Sequence, residues 1–181
     1  MHMRSAGTYY YEKQREKWWV WVVMIGVNLI FVVGCIMQIG FERPFGDNPM
    51  SDTGLIITAV AIFFISLLIL SGNLQTYINR EGIFVRYSPY HFKYRFYAWN
   101  DIRHVYVRNY HSFREFGGWG MRLSPWHFMG KTVHFTRNIA YTVGGNTGLQ
   151  IELKNGKKIL IGTQQPGELN RKLVTLGKIS E

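Results

Sequence analysis

The chain has 181 residues, a formal net charge of +10, 47% hydrophobic and 16% aromatic residues, and one cysteine. A single thiol excludes an intramolecular disulfide framework, and no Cys/His spacing suggests a zinc motif. The mean hydropathy of −0.07 fits so apolar a composition only if the apolar residues are concentrated, and they are, in the first 72 residues.

Residues 1–17 read as a basic cytoplasmic tail, with Arg4, Lys13, Arg15 and Lys17 against Glu12 and Glu16. Trp18 to Phe41 follows without a charge. At about 1.5 Å per residue it is long enough for a hydrocarbon core of roughly 30 Å. It exceeds the apolar part of a signal peptide and has no small-x-small site after it, so it reads as an uncleaved transmembrane helix, with Cys35 a small apolar residue inside it. Residues 42–53 form a short external loop with Arg43 against Glu42, Asp47 and Asp52. The second span, residues 54–72, has the uncharged run Gly54 to Leu70 as its body. From Asn73 onward there are 16 basic and 6 acidic residues.

Lysine and arginine accumulate on the cytoplasmic side of a membrane. The imbalance therefore implies a multi-pass protein of the inner (cytoplasmic) membrane with both termini cytoplasmic. Trp18, Trp19 and Trp21 crowd the start of the first span, where indole rings favour the headgroup layer, and serve as interfacial anchors. Asn28, Gln38, Thr58 and Ser66 are the polar residues within the spans. None is ionisable, so they are expected to bond within the hairpin or to another helix.

After Leu70 the period changes from helical to alternating. Leu74, Thr76 and Ile78 predict a strand, Asn79-Arg80-Glu81-Gly82 a turn in which Gly82 can take positive φ, and Ile83–Tyr87 the returning strand. Tyr94–Tyr97 and Ile102–Val107 are further strands, separated by a turn at Trp99-Asn100-Asp101. Asn155-Gly156 lies between Leu149-x-Ile151-x-Leu153 and Ile159-x-Ile161, the pattern of a hairpin with a type I′ turn. Pro166 and Glu168 then open a helix through Leu169, Leu173, Val174 and Leu176, which Gly177 can end.

The phrases YINREGIFVRY, AWNDIRHVYVR and LQIELKNGKKILIGTQQPGELNRKL resemble the bacterial PH-like domains of small membrane proteins, over roughly residues 74–176. In that family the final hairpin is followed by a Pro-x-x-Leu helix start, matched here by Pro166-Gly167-Glu168-Leu169. The resemblance implies a membrane α-helical hairpin plus a mainly-β, PH-like, partly open barrel closed by a C-terminal helix, and it brings no catalytic motif. Phosphoinositide-binding PH domains place several basic residues around the first hairpin turn, where this chain has Arg80 and Arg86. An aromatic insert, residues 109–140, departs from the family pattern.

That insert carries the candidate site. Phe113, Phe116, Trp119, Trp126 and Phe128, with Met121 and Met129, fall close to Arg114, Arg122 and Lys131. Gly117, Gly118 and Gly120 let the backbone bend there. Three roles remain open: packing in the domain's own core, a protein-binding patch anchored by the tryptophans, or a loop entering the cytoplasmic leaflet with its cations on phosphates. His91, His104, His111, His127 and His134 have no HExxH, GxSxG, P-loop or paired-carboxylate motif beside them. The expectation is a non-enzymatic protein with no cofactor, no metal and no nucleic-acid partner. Its domain associates with a protein partner or with itself as a homo-oligomer at the membrane; the alternative is an anionic-lipid sensor that reads membrane lipids at the inner leaflet.

Overall fold

The computed structural model describes residue 7 and residues 9–124 and 138–179. It divides into two units: residues 16–72, and the rest of the chain.

The first unit is the helical pair. Helix α1 (Trp18–Cys35) runs on through a π-helical turn, Ile36–Gly40, and α2 spans Asp52–Leu70. Both segments are long and apolar enough to cross a membrane by length and composition, with mean hydropathies of 2.6 and 2.7. Ser51 caps α2 by accepting the Gly54 N–H at 3.2 Å, as an N-cap serine does. The polar residues expected to bond within the pair do so. Asn28 Nδ2 donates to Ser66 Oγ at 2.8 Å. Gln38 Nε2 donates to Asp52 Oδ1 and to the Met50 carbonyl, both at 2.7 Å. Thr58 bonds back to the Gly54 carbonyl.

The second unit is two mainly-β sheets and a C-terminal helix. The first sheet has the order β1 (Tyr10–Arg15), β2 (Asn73–Ile78), β3 (Gly82–Ser88), β4 (Arg95–Ala98), all antiparallel. The second contains β5 (Ile102–Asn109), β6 (Gly120–Ser124), β7 (Asn138–Thr142), β8 (Thr147–Leu153) and β9 (Lys158–Gly162), ordered β5-β8-β9-β7-β6. Of the pairings among the described residues, only β7–β9 is parallel. Among the described residues the strands form two sheets and close no barrel. A 3-10 turn at Trp99–Asp101 carries the chain from β4 to β5, so these consecutive strands lie in different sheets. Leu74, Ile83, Val85, Leu149, Ile151, Ile159 and Ile161 share one core with Leu169 and Leu173 of α4 (Pro166–Thr175). The expected terminal helix is present and ends as expected. Gly177 takes φ 63°, and its N–H and that of Lys178 return to the Val174 and Leu173 carbonyls, a Schellman closure.

Three local expectations are refined. Residues 10–15, within the expected basic tail, form a strand of the domain, in register from Tyr10↔Ile78 to Arg15↔Asn73. Its inward side chains are Tyr10, Glu12 and Gln14. Glu12 Oε2 accepts from the Tyr10 hydroxyl at 2.5 Å and the Thr163 hydroxyl at 2.8 Å, while Oε1 accepts the Gln164 N–H at 2.7 Å. Gln14 Nε2 donates to the Gly162 carbonyl at 2.6 Å. The strand is thus fastened to the β9–α4 junction by polar bonds, so hydrophobic alternation could not reveal it.

The Asn155-Gly156 hairpin forms with a different turn. Asn155 keeps negative φ while Gly156 takes 83°. The Gly156 N–H reaches the Leu153 carbonyl and the Leu153 N–H reaches the Lys157 carbonyl. This is the three-residue loop with a left-handed glycine, not a type I′ turn, which needs positive φ at both central residues. Gly82, finally, is required for space rather than for positive φ: a Cβ there would lie 2.2 Å from the Tyr97 carbonyl oxygen of β4.

Candidate functional site

The insert begins where β5 ends. Helix α3 (Ser112–Phe116) is one short turn, too short to persist alone, and its neighbours fix it. Glu115 Oε1 accepts the His111 N–H at 2.8 Å, and Oε2 pairs with Arg108 Nη2 at 2.8 Å. Arg108 also donates through Nε to Gln150 Oε1 of β8 at 3.0 Å, so one guanidinium ties β5, β8 and α3 together. Burial pushes the Glu115 carboxyl up, but the Arg108 hydrogen bond and the His111 amide outweigh it, and the net displacement is downward. Ser112, buried, donates to the Gly145 carbonyl at 3.4 Å.

The glycines then reverse the chain. Gly117, Gly118 and Gly120 take φ of 70°, 129° and 107°, values that L side chains seldom adopt. The Gly117 and Gly118 amides close the helix on the Phe113 and Ser112 carbonyls, both at 3.0 Å. This reversal brings Trp119 back over α3, edge to face with Phe113, with ring centroids 5.1 Å apart at 69°. Arg122 Nε donates to the Trp119 carbonyl at 3.2 Å. The result is an outward aromatic pair, Phe113 60% and Trp119 37% exposed, with exposed Arg114 next to Phe113 in sequence and exposed Arg122 bonded to the Trp119 carbonyl.

The candidates therefore separate. Phe113, Trp119 and Arg122 come together on one surface. Phe116 points the other way, edge to face with Tyr110 at 6.1 Å, and packs against the small core of Tyr110, Ala140 and Leu160. Met121 packs on the main core. Trp126 and Phe128, with Met129 and Lys131, lie outside the described residues. Trp18, Trp19 and Trp21 are exposed, at 77%, 42% and 47%, along the first turn of α1.

The domain's other polar concentration escaped the sequence reading. It is the buried Glu12–Tyr10–Thr163 group, where burial first and the Glu12 hydrogen bond second hold the Tyr10 hydroxyl well above its ordinary range. Its only signal is the alternation of Tyr10, Glu12 and Gln14 with Tyr11, Lys13 and Arg15. Comparison of the chain with models of protein families and with curated proteins finds no match.

Proposed function

We propose that the chain is a non-enzymatic protein of the cytoplasmic membrane, whose domain has a PH-like fold and binds a second protein, or a second copy of itself, through the Phe113–Trp119 surface. The observation that carries this reading is the outward aromatic pair, 60% and 37% exposed, on a turn already fixed by Arg108, Glu115 and the glycines. Large rigid aromatics flanked by arginine are the residue types that anchor protein interfaces. Because the turn is tied down beforehand, little ordering cost remains to be met on association.

Both termini on the cytoplasmic side is part of the same proposal. Its support is the basic excess from Asn73 onward together with the β1–β2 pairing. Two spans between paired strands bring the chain back to the side from which it left. The PH-like fold is supported by the strand-rich domain closing on one C-terminal helix and by the sequence phrases.

The test is a photo-crosslinking amino acid at position 113 in native membranes, with a second at Asn155 on the distant hairpin as reference. The reading expects a discrete adduct from position 113, identified by mass spectrometry as another protein or this chain. Equal, diffuse labelling from both positions contradicts it.

A further inference from the structure

The loop between β3 and β4, residues 89–94, stands at one particular end of the first sheet. The register sets Arg15 opposite Asn73 and Asn73 opposite Ser88. Three strand termini therefore line up, and the β3–β4 loop leaves from the same row. From that row the chain departs through Glu16 and Lys17 to Trp18, and it returns from Leu70 through Ser71 and Gly72. Three residue steps reach about 10 Å at most. If the helical pair spans a bilayer, this end of the sheet is kept at the bilayer surface.

What the loop displays there is unusual for a side chain in water. Phe92 is 92% exposed, the most exposed large apolar residue described, and Tyr90 is 55% exposed. The loop that carries them is nonetheless fastened from beneath. The His91 N–H donates to the Tyr87 carbonyl at 2.8 Å, and its imidazole is buried edge-on against Tyr141 at 5.4 Å. His91 Nε2 accepts from Arg95 Nε at 3.1 Å. Tyr90 stacks on Tyr87, with centroids 5.6 Å apart at 12°. The Tyr94 hydroxyl donates to Gln75 Oε1 at 2.5 Å, and its ring lies 4.9 Å from the Arg86 guanidinium. Phe92 is thus held out by its neighbours on both sides.

Basic side chains outnumber acidic ones at this end of the sheet, with Glu16 the one acid between Arg15 and Lys17. Lys13 and Arg15 alternate with the inward Glu12 and Gln14 and are exposed, as is Lys93. Through the register Lys13, Gln75 and Arg86 form a row across three strands. An exposed aromatic with Lys93 next to it in sequence, on a sheet whose first strand carries the exposed Lys13 and Arg15, has the chemistry of an interfacial lipid contact: ring among the acyl-chain ends, cations on phosphates.

We propose that the residue 89–94 loop is a third point of bilayer contact, with Phe92 inserting into an anionic cytoplasmic leaflet and Lys13, Arg15 and Lys93 meeting its phosphates. This rests on the reading of the helical pair as membrane-spanning, and it concerns a different surface from the Phe113–Trp119 pair.

The test uses the full chain with Cys35→Ala, carrying one environment-sensitive fluorophore at Lys93→Cys, Leu29→Cys or Asn155→Cys. Each is reconstituted in phosphatidylcholine–phosphatidylglycerol vesicles containing lipids brominated near the headgroup or deep in the chain. The label at 93 is expected to shift to the blue and to be quenched by shallow bromines. That quenching should be lost with Phe92→Ser and should weaken when phosphatidylglycerol is omitted or salt is raised. The label at 29 should be quenched by deep bromines, and the label at 155 by neither. A label at 93 that behaves like the one at 155, while 29 is quenched, overturns the loop contact and leaves the spans standing. A blue shift at 93 without bromine quenching means that protein covers the loop, and it overturns the lipid assignment. No quenching at 29 removes the membrane-spanning reading, and the loop contact with it.

Discussion

Replacing Glu12 by alanine tests whether the amino-terminal strand belongs to the folded domain. Glu12 is 6% exposed and accepts three hydrogen bonds, from Tyr10 at 2.5 Å, Thr163 at 2.8 Å and Gln164 at 2.7 Å. Hydrogen bonds to a charged group contribute about 1.5–3 kcal/mol each, and a donor stranded by deletion costs about 1–3 kcal/mol. The three share one acceptor group and do not add fully. Water entering the vacated space restores part of the loss, and a net destabilisation of about 3–4 kcal/mol is expected. For a domain of this size that corresponds to a fall in melting temperature on the order of 15 °C. Glu12→Gln retains an acceptor oxygen and should lose about half as much. The assay is thermal unfolding of the detergent-solubilised full chain by near-ultraviolet circular dichroism, with amide exchange at Gln164 as a local probe. A Glu12→Ala loss below about 1 kcal/mol, with Gln164 still protected, would refute the reasoning.

Other perturbations separate surface from core. Trp119→Ala removes a ring that is 37% exposed and should lower stability by about 1 kcal/mol or less while abolishing crosslinks from position 113; Phe116→Ala, on the inward side, should cost about 2 kcal/mol. Gly82→Ala places a methyl 2.2 Å from the Tyr97 carbonyl oxygen and should cost about 3 kcal/mol, measured in the same melt, with β4 amides exchanging first. The Glu115 carboxyl titrates below its ordinary range when folded, so its stabilising effect is complete above the unfolded value, near 4.3, and disappears as pH falls through the folded value. The Phe113–Trp119 contact, followed by tryptophan fluorescence, should therefore loosen under acid conditions, and at a higher pH in Arg108→Gln.

The parts of this protein that repeat a simple period can be read from its sequence. The two uncharged runs, the β8–β9 hairpin and the Pro166-led helix follow from apolar spacing, because each puts its apolar side chains on one face or all around. The strand β1 does not, since its inward residues are Tyr10, Glu12 and Gln14 and its burial is secured by hydrogen bonds to Thr163, Gln164 and Gly162. Partners 150 residues distant leave no local pattern. The split into two sheets was hidden for a related reason: a 3-10 turn at Trp99–Asp101 and a tight loop look alike in sequence, yet one moves the chain to another sheet. Within the insert, composition marked the aromatic cluster but gave no facing. Phe113 and Phe116 are three residues apart in a one-turn helix, and only the Gly117–Gly120 reversal, which returns Trp119 to Phe113, decides which of them faces outward.

Thiol accessibility in intact cells tests the membrane arrangement most directly. In a Cys35→Ala background, single cysteines at Asn48, in the loop between the helices, and at Asn155 and Gly7, in the domain and ahead of β1, are exposed to a membrane-impermeant maleimide. Asn48→Cys should be labelled on intact cells, and Asn155→Cys and Gly7→Cys only after lysis. Labelling of either domain position from outside, or of Gly7→Cys and Asn155→Cys from opposite sides, would contradict a hairpin that returns the chain to the cytoplasmic face.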